Sequence, residues 1–218
     1  MSGWPAAILW DMDGTLVDTE PYWIAAEFDL VAAYGGTWSD EHAHALVGQQ
    51  LLTSAAYIRQ HGPVPLEPQA IVAAMLASVV KRLNDHTPWR PGVLELLAAQ
   101  AAGGVPSALV TSSWRPLADA LLAAAPAGTF AAVVTGDEVT RGKPDPEPYL
   151  TAAARLGLAP ADCLAIEDSR PGTASARAAG VPVLAVPHLV VLDDAPGQVL
   201  RSTLEGLDLV ALRALFDR

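Results

Sequence analysis

The sequence predicts an α/β protein: a doubly wound parallel sheet, Rossmann-like in outline, with a helical bundle inserted after its first strand. Three observations predict it. Residues 6–12 (AAILWDM) are apolar on both alternating faces, as in a strand covered on both sides. From Pro88 onward helical and strand-like segments alternate, which calls for right-handed crossovers between parallel strands. Between these regions, residues 20–87 carry helical patterns and no convincing strand, the texture of a small bundle.

Each element has its own signal. The first strand ends in acids and in Gly14–Thr15, a turn signal. PYWIAAEFDLVAAYGG reads as a helix stopped by Gly35–Gly36. Ser39 is the expected N-cap of SDEHAHALVG, whose first turn is acidic. LLTSAAYIRQHG is a third helix ended by Gly62–Pro63, and EPQAIVAAMLASVVKRLNDH a fourth with basic residues late in it. PGVLELLAAQAAGG has Pro at the start of a helix and Gly at its end. PSALVTSS is a strand running into hydroxyls. WRPLADALLAAAP is a helix with Ser113 as its expected N-cap. FAAVVTGDEV is a strand ending in Gly136–Asp137, and PEPYLTAAARLGL is a helix. DCLAIEDS is a strand ending in acids, RPGTASARAAG a helix ended by Gly180, and VPVLAV a strand. A weaker strand (QVLRST) and a last helix (LVALRALF) follow. The expected division is a core of residues 1–15 and 88–218 and a helical cap of residues 16–87.

Composition excludes several classes of function. The chain has 218 residues, 51% of them hydrophobic, enough for a sizeable core. Its 24 acids outnumber 13 Lys and Arg, for a net charge of −11. Such a surface repels nucleic acid and anionic lipid, so neither is an expected partner. The single cysteine, Cys163, allows no internal disulfide and no Cys-based zinc site, which fits a cytoplasmic protein. PAAILW is too short for a secretory signal, and no apolar run reaches the ~18 residues of a membrane helix. A monomer or weak dimer is expected.

Ligands of an open parallel sheet bind at the carboxyl ends of its strands. Here those ends carry Asp11-Met12-Asp13-Gly14-Thr15, then Thr111-Ser112-Ser113, then Gly136-Asp137 followed by Lys143, then Glu167-Asp168-Ser169. Acids crowded without arginines are costly unless a cation sits among them. Oxygen ligands with no His or Cys favour a hard ion, Mg²⁺ first. Asp11 and Asp13, two residues apart, project the same way, so one carboxylate can attack while the other handles a proton. Thr111 and nearby backbone N–H groups suit phosphate oxygens, and Lys143 suits a transferring anionic group.

DMDGTLVDTE, LVTSS, GKPDPEPYL and AIEDSRPG, in that order, resemble the four motifs of the haloacid dehalogenase-like (HAD) hydrolases. The resemblance implies that Asp11 is a nucleophile that becomes an aspartyl phosphate. It implies that Asp13 is the general acid/base and a Mg²⁺ ligand through its carbonyl. Thr111 and the Ser112 backbone would bind phosphate beside the Gly14–Thr15 turn, and Lys143 would bridge nucleophile and phosphate. Asp168 would hold Mg²⁺ directly, and Glu167 directly or through water. Residues 16–87 match the family's helical cap, of the type in beta-phosphoglucomutase and small sugar- or nucleotide-phosphate phosphatases. Dehalogenases lack an acid two residues after the nucleophile, so Asp13 implies phosphoryl transfer. A phosphomutase needs a cap cation for a second phosphate. Here Gly48 is followed by Gln49, Gln50 and Leu51, and residues 16–88 hold eight acids against Arg59, Lys81 and Arg82. The expected function is therefore a Mg²⁺-dependent phosphatase acting on a small phosphorylated metabolite. The alternatives are a beta-phosphoglucomutase-like phosphotransferase and, more remotely, a non-enzymatic phospho-acceptor switch. Glu147 and Pro148 depart from the family's usual acid and apolar residue.

Other polar and aromatic residues have plainer readings. Asp137 reads equally as a turn acid or as a contact of Lys143 or the metal. His42 and His44 do not share a helix face, and His61, His86 and His188 sit at element ends as solvated residues. Tyr22 and Trp23 read as packing or, alternatively, as substrate contacts, Trp114 as packing or as part of the site mouth, Cys163 as a small buried residue, and Arg59, Lys81 and Arg82 as solvated charges of which one could face the cleft.

Overall fold

A computed structural model describes residues 4–216. Strand β1 (Ala7–Trp10) leads into four helices, α1 (Glu20–Ala33), α2 (Asp40–Leu46), α3 (Leu51–His61) and α4 (Pro68–Asp85). Then come α5 (Val93–Ala102), β2 (Ser107–Val110), α6 (Arg115–Ala124), β3 (Ala132–Val134) and α7 (Glu147–Leu156). The chain continues through β4 (Cys163–Glu167), α8 (Arg170–Ala178), β5 (Val183–Ala185), β6 (Gln198–Leu200) and α9 (Leu209–Phe216). The strands form one parallel sheet in the order β3-β2-β1-β4-β5-β6. The chain first moves outward from β1 through β2 to β3, then restarts at β4 on the other side. The switch point thus lies between the carboxyl ends of β1 and β4, where ligands of such sheets bind.

Both faces of β1 are buried, as its apolar run requires. Ile8 and Trp10 point into one layer with Leu96, Leu117 and Leu121. Ala7 and Leu9 point into the other, which is rich in alanine (Ala108, Ala152, Ala165, Ala176) and lets α7 and α8 approach closely. Each fully buried Leu or Ile contributes about 1.5–3 kcal/mol. Trp10 adds a polar atom, and Gln100 satisfies it: the indole Nε1 donates to Gln100 Oε1 at 3.1 Å.

The four helices after β1 pack on one another and on the sheet side. Helices α1 and α3 rest on α4, and α4 rests on α6; Met75, Val79 and Leu83 of α4 are buried in the core. The chain leaves and re-enters the sheet region side by side. Asp18 N donates to Pro88 O (2.9 Å), Arg90 N donates to Leu16 O (2.9 Å), and Val17 pairs antiparallel with Trp89.

Local expectations mostly match. Ser39 caps α2 by accepting from His42 N (3.3 Å). QVLRST yields only the three-residue β6. Two expectations are corrected. Ser113 does not cap α6; Trp114 holds that position, and Asp137 Oδ1 accepts from Arg115 N at 3.0 Å instead. His188 is half-buried rather than solvated, with contacts on both ring nitrogens. Among the described residues, no helix is long and apolar enough to cross a membrane.

Candidate active site

Adjacent strands β2, β1 and β4 deliver Thr111–Ser113, Asp11–Asp13 and Glu167–Asp168 to one edge of the sheet. Lys143 arrives from the segment between β3 and α7. Its Nζ donates to Asp11 Oδ1 (2.6 Å), Glu167 Oε1 (2.7 Å) and Val110 O (2.8 Å), using all three ammonium protons. Burial opposes this ammonium, but Asp11 and Glu167 outweigh it and raise its pKa. Glu167 Oε1 also accepts from Tyr149 Oη at 2.7 Å, and Oε2 accepts from Ser169 Oγ at 3.1 Å. The sequence marks Tyr149 only as an aromatic residue on the buried face of the helix after Lys143, not as part of this cluster. Burial, then Glu167, raises the Tyr149 pKa, so it stays a donor.

The carboxylates are strained as a group. Burial and then Glu167 push Asp11 up to about 7, against the pull of Lys143. Burial and then Asp11 push Asp168 up to about 9. Asp11 Oδ2 is buried and has no hydrogen-bond partner. Oxygens of Asp11, Glu167 and Asp168 lie within 4.8 Å of one another. One ammonium among three carboxylates leaves excess negative charge, and an orphaned buried oxygen faces it. This donor set fits a hard divalent cation. Glu167 is already engaged at both oxygens, so Asp11 and Asp168 have the freer ones.

Asp13 has a different shell. Its Oδ1 accepts from Thr19 Oγ1 (2.5 Å), and its Oδ2 accepts from Ser113 Oγ (2.7 Å) and Thr111 Oγ1 (3.4 Å). Hydroxyls both donate and accept, so this shell serves Asp13 with or without a proton. Lys143 can only donate, so the Asp11 oxygen that faces it carries no proton and accepts. The sequence alone does not mark Thr19 and Ser113 as site residues. A hydroxyl directly before the first inserted helix, and a second one beside the Thr111 pair, were the signals available.

Thr111 is buried and also accepts from Ser113 N at 2.9 Å, so its hydroxyl points to Asp13 rather than into the cleft. Thr15 is likewise buried, with its hydroxyl 3.5 Å from Asp168 Oδ1. Ser112 does line the cleft. Gly14 has φ +86°, and a Cβ there would come 2.0 Å from Asp168 Oδ2. Gly172 is similar: a Cβ would come 1.9 Å from Glu167 Oε1, so the first turn of α8 needs glycine to approach the cluster. Asp137 accepts from Thr135 Oγ1 (2.7 Å) and Arg115 N, and the hydrogen bonds of Lys143 go elsewhere. Glu147 accepts from Thr140 N (2.7 Å) and Arg141 N (3.0 Å), fixing the loop that presents Lys143.

Asp11, Asp13, Ser112, Lys143 and Asp168 thus face a cleft of about 170 Å³. Its opposite wall comes from the inserted helices, chiefly Glu20, Trp23 and Glu27 of α1. Burial, then Asp13 and Asp18, raise Glu20 to about 7. Burial raises Glu27 to about 7 as well, although Trp38 Nε1 donates to its Oε2 at 3.1 Å. His188 closes a third side. Its Nδ1 lies 2.6 Å from Arg90 Nη1, which can only donate, and its Nε2 lies 3.1 Å from Asp18 Oδ1. The accepting nitrogen is therefore Nδ1, while Asp18 Oδ1, close to Nε2, is buried without a hydrogen-bond partner.

Known proteins match the chain over most of its length. Residues 8–186 match the family described as haloacid dehalogenase-like hydrolase. The chain is 32% identical over 186 residues to the bifunctional riboflavin kinase/FMN phosphatase of Arabidopsis thaliana. That match covers 84% of this chain but 49% of the relative, about half its length. It is 31% identical over 185 residues to hexitol phosphatase B of Escherichia coli (strain K12), covering 83% of each. A crystal structure of CbbY from Rhodobacter sphaeroides with xylulose-1,5-bisphosphate superposes with a TM-score of 0.85 at 28% identity. That superposition covers 95% of this chain and 98% of the other.

Proposed function

Because the chain belongs to the haloacid dehalogenase-like hydrolase family, we propose that it hydrolyses the phosphate ester of a small metabolite, with Mg²⁺, through an aspartyl phosphate on Asp11. The observation that carries this reading is the contrast between two neighbouring acids. Asp11 is tied to Lys143 by one oxygen and presents the other without a partner. Asp13 sits among three hydroxyls that tolerate either protonation state.

In this reading an Asp11 oxygen attacks phosphorus as the ester P–O bond breaks, and Asp13 gives its proton to the departing alcohol oxygen. Asp13 then takes a proton from water, whose oxygen attacks the phosphorus and releases the Asp11 carboxylate and phosphate. Lys143 orients Asp11 and offsets charge on the phosphoryl oxygens, while Glu167 and Tyr149 position Lys143. Ser112 and the backbone after β2 hold phosphate, and Thr111 and Thr19 orient Asp13. Asp11, Asp168 and the Asp13 carbonyl would hold Mg²⁺, with Glu167 behind them; when bound, the ion polarises the phosphoryl group and offsets its charge. The Gly14–Thr15 turn leaves room for Asp168 and lies against the phosphate. Residues 16–87 act as a cap that excludes water from the cleft. A soluble cytoplasmic monomer or weak dimer goes with this assignment.

Turnover of p-nitrophenyl phosphate with Mg²⁺ tests it. Asp11→Asn should abolish the activity, and full activity in that variant would sink the proposal.

A further inference from the structure

The wall that the inserted helices give the cleft bears on the body of the ester. Glu20, Trp23 and Glu27 occupy positions i, i+3 and i+7 of α1 and so form one stripe, and all three face the cleft. Glu27 is 3% exposed; Trp38 fixes its Oε2, and no described group hydrogen-bonds its Oε1. Gln49 and Ser54 add uncharged polar groups to the same wall. The cations of this region are engaged elsewhere: Arg59 with Glu67 and Lys81 with Asp85 at the surface, and half-buried Arg82 with Asp29. His44, the imidazole that acts on Glu20, bonds Asp40 O at 2.6 Å and lies outside the cleft lining.

We propose that the cleft takes the monophosphate ester of an uncharged polyhydroxyl body, with Glu20 and Glu27 accepting hydrogen bonds from its hydroxyls and Trp23 covering a C–H face. A body carrying a second phosphate is rejected. The proposal rests on the phosphatase reading and deepens it. A carboxylate oxygen accepts from a hydroxyl donor, whereas phosphate oxygens bring only acceptors and like charge. Burial already makes both carboxylates costly near neutral pH, and a second phosphate would add to that cost. Hydroxyls suit these acids in either protonation state, while an ammonium-bearing body needs them ionised. The cleft of about 170 Å³ is below the roughly 300–1,000 Å³ of drug-sized sites, so the body is small. Its charge requirement also differs from that of the CbbY structure, whose ligand carries two phosphates.

The Asp11→Asn chain with Mg²⁺ separates binding from turnover. Calorimetry with sorbitol 6-phosphate, fructose 1,6-bisphosphate and phosphoethanolamine should rank the hexitol monophosphate first, by about tenfold or more. Adding Glu27→Gln should weaken the monophosphate by about tenfold and narrow its lead over the bisphosphate. In the chain with Asp11 intact, Glu27→Gln should lower kcat/KM for sorbitol 6-phosphate about tenfold more than for p-nitrophenyl phosphate, which has no hydroxyls. Glu20→Gln repeats the comparison should Glu27→Gln fail to fold. Equal or tighter bisphosphate binding, a preference for phosphoethanolamine, no binding of any of the three, or equal losses on both esters would overturn the proposal. The stated binding order without turnover of any ester would overturn the phosphatase reading alone.

Discussion

Two acids two residues apart in the sequence have different surroundings because they meet different donors. Lys143 brings only donors to Asp11, and the hydroxyls of Thr19, Thr111 and Ser113 bring both donors and acceptors to Asp13. Asp13→Asn should therefore keep the fold and lower phosphatase turnover by roughly 10²–10⁴, the usual share of proton transfer. Steady-state kinetics on purified, folded variant would check this. Lys143→Met should cost stability, because it leaves Asp11 and Glu167 buried together without their cation. A loss of about 3–5 kcal/mol in urea unfolding is expected. Glu27 carries the opposite liability. Its folded pKa of about 7 lies above its ordinary 4.5, so the native state holds the proton more tightly. The chain loses stability as pH rises from about 4.5 to 7, and Gln, which cannot ionise, avoids that loss. Glu27→Gln should stabilise by about 1–2 kcal/mol at pH 8, allowing for water that reaches the cleft, and have little effect at pH 5. Thermal unfolding at the two pH values separates this from a loss of packing, which would appear at both.

At the scale of elements, α8 shows how closely a helix start can approach a charged cluster. Ser169 caps it by accepting from Gly172 N at 3.1 Å, and Ser169 also donates to Glu167. Gly172 leaves no atom where Glu167 must stand. Gly172→Ala should destabilise by about 1–3 kcal/mol, the range for overpacking, by forcing either α8 or Glu167 to move. Urea unfolding reads the first effect, and a weakened response to Mg²⁺ reads the displacement of Glu167. Helix α1 is the other element with a double task. One side packs on α4, and the Glu20–Trp23–Glu27 stripe faces the cleft. Its sequence explains why a plain amphipathic pattern did not stand out: buried Glu27 sits beside buried Ala26, with half-buried Trp23 and Ile24 before them. A helix with packing on one side and a cleft on another has no single solvated face.

For the whole molecule, the excess of acid at the switch point makes stability and metal binding one question. Mg²⁺ bound to the native chain alone should raise the unfolding temperature, by about 2.7 kcal/mol of stability at a hundred times its Kd. Asp168→Asn should abolish that rise, and an unchanged melting curve between EDTA and Mg²⁺ would count against the metal site. The sequence by itself determined the strand order of chemistry: which acids, hydroxyls and lysine follow which strand, and that a strand-free helical stretch interrupts the sheet. It did so because buried parallel strands are short apolar runs and strand ends are marked by turn and polar residues, both local properties. It also made Ser39 legible as a cap, since an N-cap acts on its own first turn. The pairing of side chains was not legible. Ser113 read as a cap because its partner, Asp13, is 100 residues away, and Thr19 and Tyr149 gave no local sign of Asp13 and Glu167. Thr111 and Thr15 belonged to the right turns, yet only packing decided that their hydroxyls face acids rather than the cleft. Sequence patterns report what each segment buries, whereas a site depends on which buried groups from distant segments meet, and that distance is set only when the sheet and its helices close on one another.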